Sequence, residues 1–160
     1  MVRSATKSDA SAICAIYNHY VLNTPVTFEE EVVTKEDMAA RIAKVQSGYP
    51  WLVAEREGIV VGYAYASRWK SRCAYRYSVE TTVYVDNNVC KSGIGSELYV
   101  QLIADLKKIS MHSLIGGIAL PNTASVALHE KFGFRKVAQF EQVGWKFDRW
   151  IDVGYWELIL

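Results

Sequence analysis

Three short stretches of this 160-residue chain carry residue types suited to catalysis or ligand binding. In "NNVCKSGIGSEL", Asn87 to Leu98, Gly93 and Gly95 sit between a run that reads as strand and a run that reads as helix. Such a loop aims backbone N–H groups and the positive end of the helix dipole at one point, and diphosphate is its natural occupant. A side chain at either glycine would forbid the backbone geometry or keep the ligand's oxygens at a distance, and Lys91 adds a full positive charge. The spacing fits neither the three-glycine dinucleotide pattern nor a P-loop, and a plain connecting turn is the structural alternative. Glu80 opens a strand-like run among apolar and aromatic neighbours, which raise a carboxyl pKa toward the range of a useful base. A strand-surface glutamate in a structural pair is the other reading. His129 lies two turns into a helix opened by Asn122. It can move a proton near neutral pH or simply sit hydrogen-bonded in the core.

The elements that position these groups follow from periodicity. Met1 to Ala5 reads as a strand, with Thr6 and Ser8 as capping residues for the helix "DASAICAIYNHYVLN", whose Ile13, Ile16, Tyr17, Tyr20 and Val21 form one apolar face. "TKEDMAARIAKVQS" predicts a second helix with Thr34 as cap, Asp37 three residues on and Gly48 at its end. "WLVAERE" and "IVVGYAYASRW" read as a hairpin around Gly58, and "YRYSVETTVYV" as a long strand completing an antiparallel meander. "SELYVQLIADLKKI" is helical, with Leu98, Leu102, Ile103, Leu106 and Ile109 on one face; "SLIGGIAL" is a strand, "NTASVALHEKFG" a helix ended by Gly133, and "GYWELIL" a last strand. No element is assigned between Gly133 and Gly154. The order β-α-α-β-β-β-α-β-α-β is mixed α+β and does not fit a doubly wound sheet.

Composition narrows the class. One domain over residues 1–160 suits this length. Eighteen Lys and Arg against seventeen Asp and Glu leave a net charge of +1, so nothing global favours nucleic acid or an anionic membrane, and any anion site is local. Apolar residues at 51% describe a globular domain, with no run long enough to span a membrane. Cys14, Cys73 and Cys90 are odd in number and lack metal-ligand spacing, so no metal is expected; without a secretory signal, a reducing cytoplasm is the expected compartment.

The succession "VETTVYV", glycine loop, "SGIGSEL" and "PNTASVALHEKFGF" resembles the GNAT superfamily of acetyl-CoA-dependent N-acetyltransferases. "AIYNHYVLNTPVTFEEE", "AYRYSVE", "ALHEKFGF" and "QVGWKFDRWID" make the chain similar to the phosphinothricin and methionine sulfoximine acetyltransferase branch. The resemblance implies a mostly antiparallel central sheet with helices on both faces, a three-layer α/β/α sandwich. It implies acetyl-CoA as cosubstrate, with contacts at Val83, Tyr84 and Val85 to the pantetheine arm, at Lys91, Ser92, Gly93, Ile94, Gly95 and Ser96 to the diphosphate, and at Asn122. Cys90 stands where this branch usually has glutamine, and Ser92 where it has a basic residue or glycine. Because such a loop binds mainly through main-chain donors, weakened rather than lost affinity is expected.

The same resemblance casts Glu80 as the base that deprotonates the attacking amine, directly or through water. It puts His129 where many of these enzymes keep a tyrosine near the departing sulfur. Backbone N–H groups from Thr82 to Val85 would polarise the thioester carbonyl. For the acceptor, Arg72, Tyr75, Arg76 and Tyr77 suit a small carboxylate- or phosphinate-bearing amino acid, with Arg76 on the anion, and Phe28 and Glu29 form the other wall. Exposed strand-end charges and sheet packing are the alternative for that cluster. Trp145, Lys146, Phe147 and Trp150 line the acceptor pocket or form a homodimer surface, with plain core packing a further alternative for Trp150. Asp148 replaces a glycine usual in the branch and puts the local turn in question. Cys73 and Cys90 lack a histidine partner, and His19 and His112 receive no role. Two other functions compete with acetylation of an amino acid analogue: acetylation of another small amine or a peptide amino terminus, and noncatalytic sensing of acyl-CoA.

Overall fold

The computed structural model describes residues 1–89 and 93–160, so Cys90, Lys91 and Ser92, singled out above, lie outside the described residues. Among the described residues the strands are β1 (Val2–Ser4), β2 (Trp51–Arg56), β3 (Ile59–Arg68), β4 (Ser78–Val85), β5 (Ser113–Ala119), β6 (Arg135–Lys146) and β7 (Arg149–Ile159). They form one sheet in the order β1-β2-β3-β4-β5-β7-β6. Only β4 and β5 run parallel; every other neighbouring pair is antiparallel. Helices α1 (Ala10–Asn23) and α2 (Lys35–Gln46) cover one face, and α3 (Ile94–Lys108) and α4 (Thr123–Lys131) the other. The result is the mixed, mostly antiparallel α+β sandwich that the sequence implies.

Each face has its own apolar core. Ile13, Ile16, Tyr17 and Val21 of α1 and Met38 and Ile42 of α2 pack on Trp51, Val53 and Tyr63. Leu98, Leu102 and Leu106 of α3 pack on Leu52, Ala64, Val79 and Leu114 on the other side. Burying one such leucine contributes about 1.5–3 kcal/mol, so these faces hold the sheet between them. The caps follow the expected chemistry. Thr34 Oγ1 accepts the Asp37 N–H at 3.1 Å. The Asp9 carboxylate accepts both the Thr6 N–H at 2.7 Å and the Thr6 hydroxyl at 2.9 Å, which places Ser8 inside a 3-10 turn, Lys7–Asp9, rather than at a cap.

Two expectations need correction. Tyr75, Arg76 and Tyr77 do not begin the central strand, because Cys73–Tyr75 is a 3-10 turn and β4 starts at Ser78. The reason is pairing: β3 ends at Arg68, opposite Val79, so the strand-forming residues before Ser78 have no ladder to join. The unassigned span contains β6, and β7 begins at Arg149, well before Gly154. In β6 the register shifts between Phe140 and Gly144, with Gln142 at φ 51°, and this bulge breaks the alternation by which a strand is read.

The turn joining β6 to β7 answers the question about Asp148. Lys146 pairs with Arg149, leaving Phe147 (φ 51°) and Asp148 (φ 55°) as a two-residue loop with both residues left-handed. That is the geometry of a type I′ turn, which matches strand twist but favours glycine at its second position. The hairpin therefore forms with Asp148 in place, at a conformational cost. Asp148→Gly should raise the thermal midpoint by about 2–4 °C, the shift that ~1 kcal/mol produces in a chain this size. Scanning calorimetry checks it.

Candidate active site

The one parallel pair in the sheet is short. β4 and β5 pair from Ser78/Ser113 to Glu80/Ile115 and no further, while β4 stays paired with β3 through to Val85 and β5 turns to pair with β7. Beyond Glu80, then, β4 has a neighbour on one side only. The Asp86 N–H donates to Val61 O on the β3 side, whereas Val85 O accepts from the Tyr20 hydroxyl at 2.6 Å on the other. Backbone groups alternate sides along a strand, so the N–H and C=O of Val83 and the N–H of Val85 point into the gap.

Two connected hollows occupy this gap. A cavity of about 230 Å³ is lined by Phe28, Glu80, Thr82, Val83, Tyr99, Asn122 and His129 among others. A groove of about 530 Å³ continues from it past Val83 and Val85 to Gly93, Gly95, Ser96 and Lys131. Gly93 precedes α3 at φ 82°, a left-handed conformation that glycine adopts without strain, and turns the chain so that the α3 amino end faces the groove. Gly95 serves closeness instead: a Cβ there would lie 3.2 Å from Leu128 of α4. Lys131, which the sequence reading passed over, donates to Ser96 Oγ at 2.9 Å and puts a cation at the same end. Asn122 caps α4 by accepting the Ser125 N–H at 3.1 Å, which leaves its amide N–H₂ on the groove side as a donor. An elongated thiol ester with amides along its arm and a diphosphate at its end matches this series of groups.

Glu80 and His129 line the same cavity from opposite faces of the sheet. The adjacent glycines of β5 make both placements possible, because successive strand residues face opposite ways. A methyl group on Gly116 would overlap the His129 ring, and one on Gly117 would lie 3.4 Å from Glu80 Oε1. The cavity thus passes through the sheet, with Phe28 and Glu80 at one mouth and Tyr99 and His129 at the other.

Their electrostatics differ as well. The Glu80 carboxylate has no hydrogen-bond partner among the described residues; burial raises its pKa above the ordinary glutamate value, and the Lys70 ammonium partly opposes this. His129 is buried with both ring nitrogens engaged. Its Nδ1 lies 2.7 Å from Ser125 O, which can only accept, so Nδ1 carries the proton. Nε2 then accepts from the Tyr99 hydroxyl at 2.8 Å, and Thr81 Oγ1 lies 3.3 Å from that hydroxyl. Burial lowers the His129 pKa, with the Ser125 carbonyl opposing. A neutral histidine accepting from tyrosine is not poised as an acid, and Tyr99 supplies the O–H at this mouth. Nothing in the sequence distinguished Tyr99 from the apolar residues of its helix face.

The acceptor residues divide. Phe28 lines the cavity. Glu29 is outside it: its carboxylate accepts from Arg41 at 2.9 and 2.6 Å and from the Tyr17 hydroxyl, and the Arg41 bonds chiefly hold its pKa below the ordinary range. Tyr75, Arg76 and Tyr77 are exposed and line neither hollow. Arg76 lies over the Tyr77 ring at 4.8 Å and donates to Cys73 O at 3.2 Å. Among Val83, Tyr84, Val85, Gly93, Ile94, Gly95, Ser96 and Asn122, every residue lines the groove.

Comparison with known proteins agrees with this geometry. A family model described as an acetyltransferase (GNAT) domain matches residues 2–154. The chain is 41% identical over 156 residues to a phosphinothricin N-acetyltransferase of Streptomyces viridochromogenes, covering 98% of this chain and 85% of that protein. It is 40% identical over 160 residues to an L-methionine sulfoximine/L-methionine sulfone acetyltransferase of Salmonella typhimurium, covering 99% and 94%. A phosphinothricin acetyltransferase from Sinorhizobium meliloti, solved in complex with acetyl-CoA, superposes with a TM-score of 0.97 at 34% identity over 100% of this chain and 88% of that one. A sheet opened between β4 and β5, a glycine-led helix beside the opening and near-complete matches in sequence and structure lead to one conclusion: the chain belongs to the GNAT acetyltransferase family.

Proposed function

We propose that the chain acetylates the α-amino group of a small amino acid analogue of the phosphinothricin, methionine sulfoximine or methionine sulfone type. The observation that carries this reading is the half-buried Glu80 carboxylate, without a hydrogen-bond partner among the described residues, at the inner end of the opened strand pair. The named relatives act on such compounds, and an α-amino acid is small enough for a cavity of about 230 Å³. An enzyme with this acceptor range would confer resistance to a phosphinothricin herbicide.

Acetyl-CoA supplies an acetyl group already activated as a thioester. The chain's residues supply position and proton handling. Val83 offers an N–H and a C=O to the arm that enters the gap, and the α3 amino end with Lys131 receives the diphosphate. Glu80, ionised and desolvated, takes the proton that the α-ammonium must lose before nitrogen can attack. On the far face, the Tyr99 O–H donates to His129 Nε2 in the resting site and turns from it to the departing sulfur as the thiolate forms. The exposed apolar residues of the β6–β7 hairpin, among them Phe140, Trp145, Phe147 and Trp150, support a homodimer surface. A single cytoplasmic acetyltransferase domain is the setting that fits this reading; among the described residues no helix is long and apolar enough to cross a membrane.

The test follows thiol release from acetyl-CoA with methionine sulfoximine, methionine sulfone, phosphinothricin and a peptide bearing a free amino terminus. Turnover confined to the amino acid analogues supports the reading; turnover of the peptide alone overturns it, and binding of acetyl-CoA without turnover of any amine points to a sensor. Because Glu80 must be ionised to act and burial raises its pKa, the acid limb of kcat/KM should lie above about pH 4.3, with activity falling as pH drops through it. Glu80→Gln should lower kcat by about 10²–10⁴-fold and remove that limb. The same shift costs folding free energy once Glu80 ionises. Glu80→Gln should therefore raise the melting temperature at pH 7, with no gain below about pH 4, where both states are protonated.

His129 supplies a separate check. Nitrogen-15 spectra should show an Nδ1–H tautomer that stays neutral as pH falls through about 6.5. Tyr99→Phe leaves the buried Nε2 without its donor and should destabilise the fold by about 1–3 kcal/mol in denaturant titration.

A further inference from the structure

Residues 24–34, between α1 and α2, carry no regular secondary structure, yet they hold Phe28 against the cavity. A loop without a ladder must satisfy its carbonyls elsewhere. Here one distant side chain meets two of them, together with a carbonyl from the last turn of α1. Lys146, 2% exposed, donates from Nζ to Val21 O at 2.7 Å, Thr27 O at 2.8 Å and Glu29 O at 2.8 Å. An ammonium has three N–H bonds, and all three are used. Two residues earlier on the same side of β6, Gly144 leaves the space that the Phe28 ring fills: a Cβ there would overlap the tip of the ring, 2.9 Å from Cε1 and closer still to Cζ and Cε2. The alternate residues, Val143 and Trp145, are 58% and 50% exposed, on the opposite side of the strand from Gly144 and Lys146.

We infer that Lys146, with Gly144, is a positioning residue for the acceptor: it fixes the loop that carries Phe28 and so sets the acceptor wall of the cavity without touching either substrate. This rests on the reading of the Glu80 cavity as the acceptor site. The cofactor groove touches the clamped loop at Val26, beside Tyr20 of α1, and is otherwise lined from β4, α3, α4 and their leading residues Gly93 and Asn122, which the clamp does not contact.

Lys146→Met removes all three donors. Lys146→Arg keeps the charge but has a planar fork that cannot converge on three carbonyls. Gly144→Ala displaces the Phe28 ring while leaving Lys146 intact. In Lys146→Met and Gly144→Ala the KM for methionine sulfoximine should rise roughly tenfold or more, with a smaller rise in Lys146→Arg. The acetyl-CoA Kd from calorimetry should stay within about twofold in all three. Hydrogen exchange over residues 22–33 should accelerate in both Lys146 variants, while exchange over 94–108 is unchanged. Should Lys146→Met not fold, Lys146→Arg and Gly144→Ala decide the matter. Folded variants whose acceptor KM stays at the wild-type value, or whose acetyl-CoA Kd rises in parallel, overturn the inference. If wild-type protein acetylates no amine, the proposed function fails, and unaltered exchange over 22–33 still refutes the clamp by itself.

Discussion

A strand that keeps one neighbour and gives up the other is the constraint on which the rest of this structure depends. β4 leaves β5 after Glu80, and an unpaired strand edge inside a protein is costly unless something else bonds to it. Tyr20 meets one of the freed carbonyls, and the remaining groups of Val83 and Val85 are left for a ligand that carries amides of its own. In the proposed binding mode the cosubstrate would complete the sheet in the manner of an added strand. Its direction would follow from the opening, one end of which meets the α3 amino end and the other Glu80.

Opening the sheet also puts the two sides of the reaction on different faces. Glu80 and Phe28 stand on the α1/α2 side, and Tyr99 and His129 on the α3/α4 side, with the paired glycines of β5 clearing room for each. In the proposed mechanism, proton removal from the acceptor and protonation at the leaving group then fall to groups that do not compete. The pKa directions agree with this separation. Burial favours a carboxyl ready to receive a proton on one face and a neutral imidazole, fixed by Ser125 and Tyr99, on the other.

Much of this was legible in the sequence, for reasons that can be named. The helices declared themselves through three- and four-residue spacing of large apolar residues, and Thr34, Asn122 and Gly93 through cap and turn chemistry. Glu80 stood out as the one charged residue in a strand of β-branched, aromatic and hydroxyl side chains. What stayed hidden depends on contacts far apart in the chain. β6 was missed because its bulge breaks the alternation and its apolar residues point outward. Tyr75 to Tyr77 have strand-forming side chains but lack a partner strand, and Glu29 gave no sign that Arg41 and Tyr17 would take its oxygens. Lys146 is the strongest instance: lysine is almost never fully buried, and only the folded hairpin brings it to three carbonyls more than a hundred residues away.

The central claim is that the gap between β4 and β5 receives the arm of acetyl-CoA on the backbone of Val83 and delivers its sulfur between Glu80 and Tyr99. A crystal structure with bound coenzyme A tests this most directly. The account predicts pantetheine amides within hydrogen-bond distance of the Val83 N–H and C=O, the diphosphate at the α3 amino end beside Lys131, and the sulfur inside the cavity shared by Glu80 and His129. A coenzyme bound elsewhere, or one lying in the groove without main-chain bonds to β4, would contradict it.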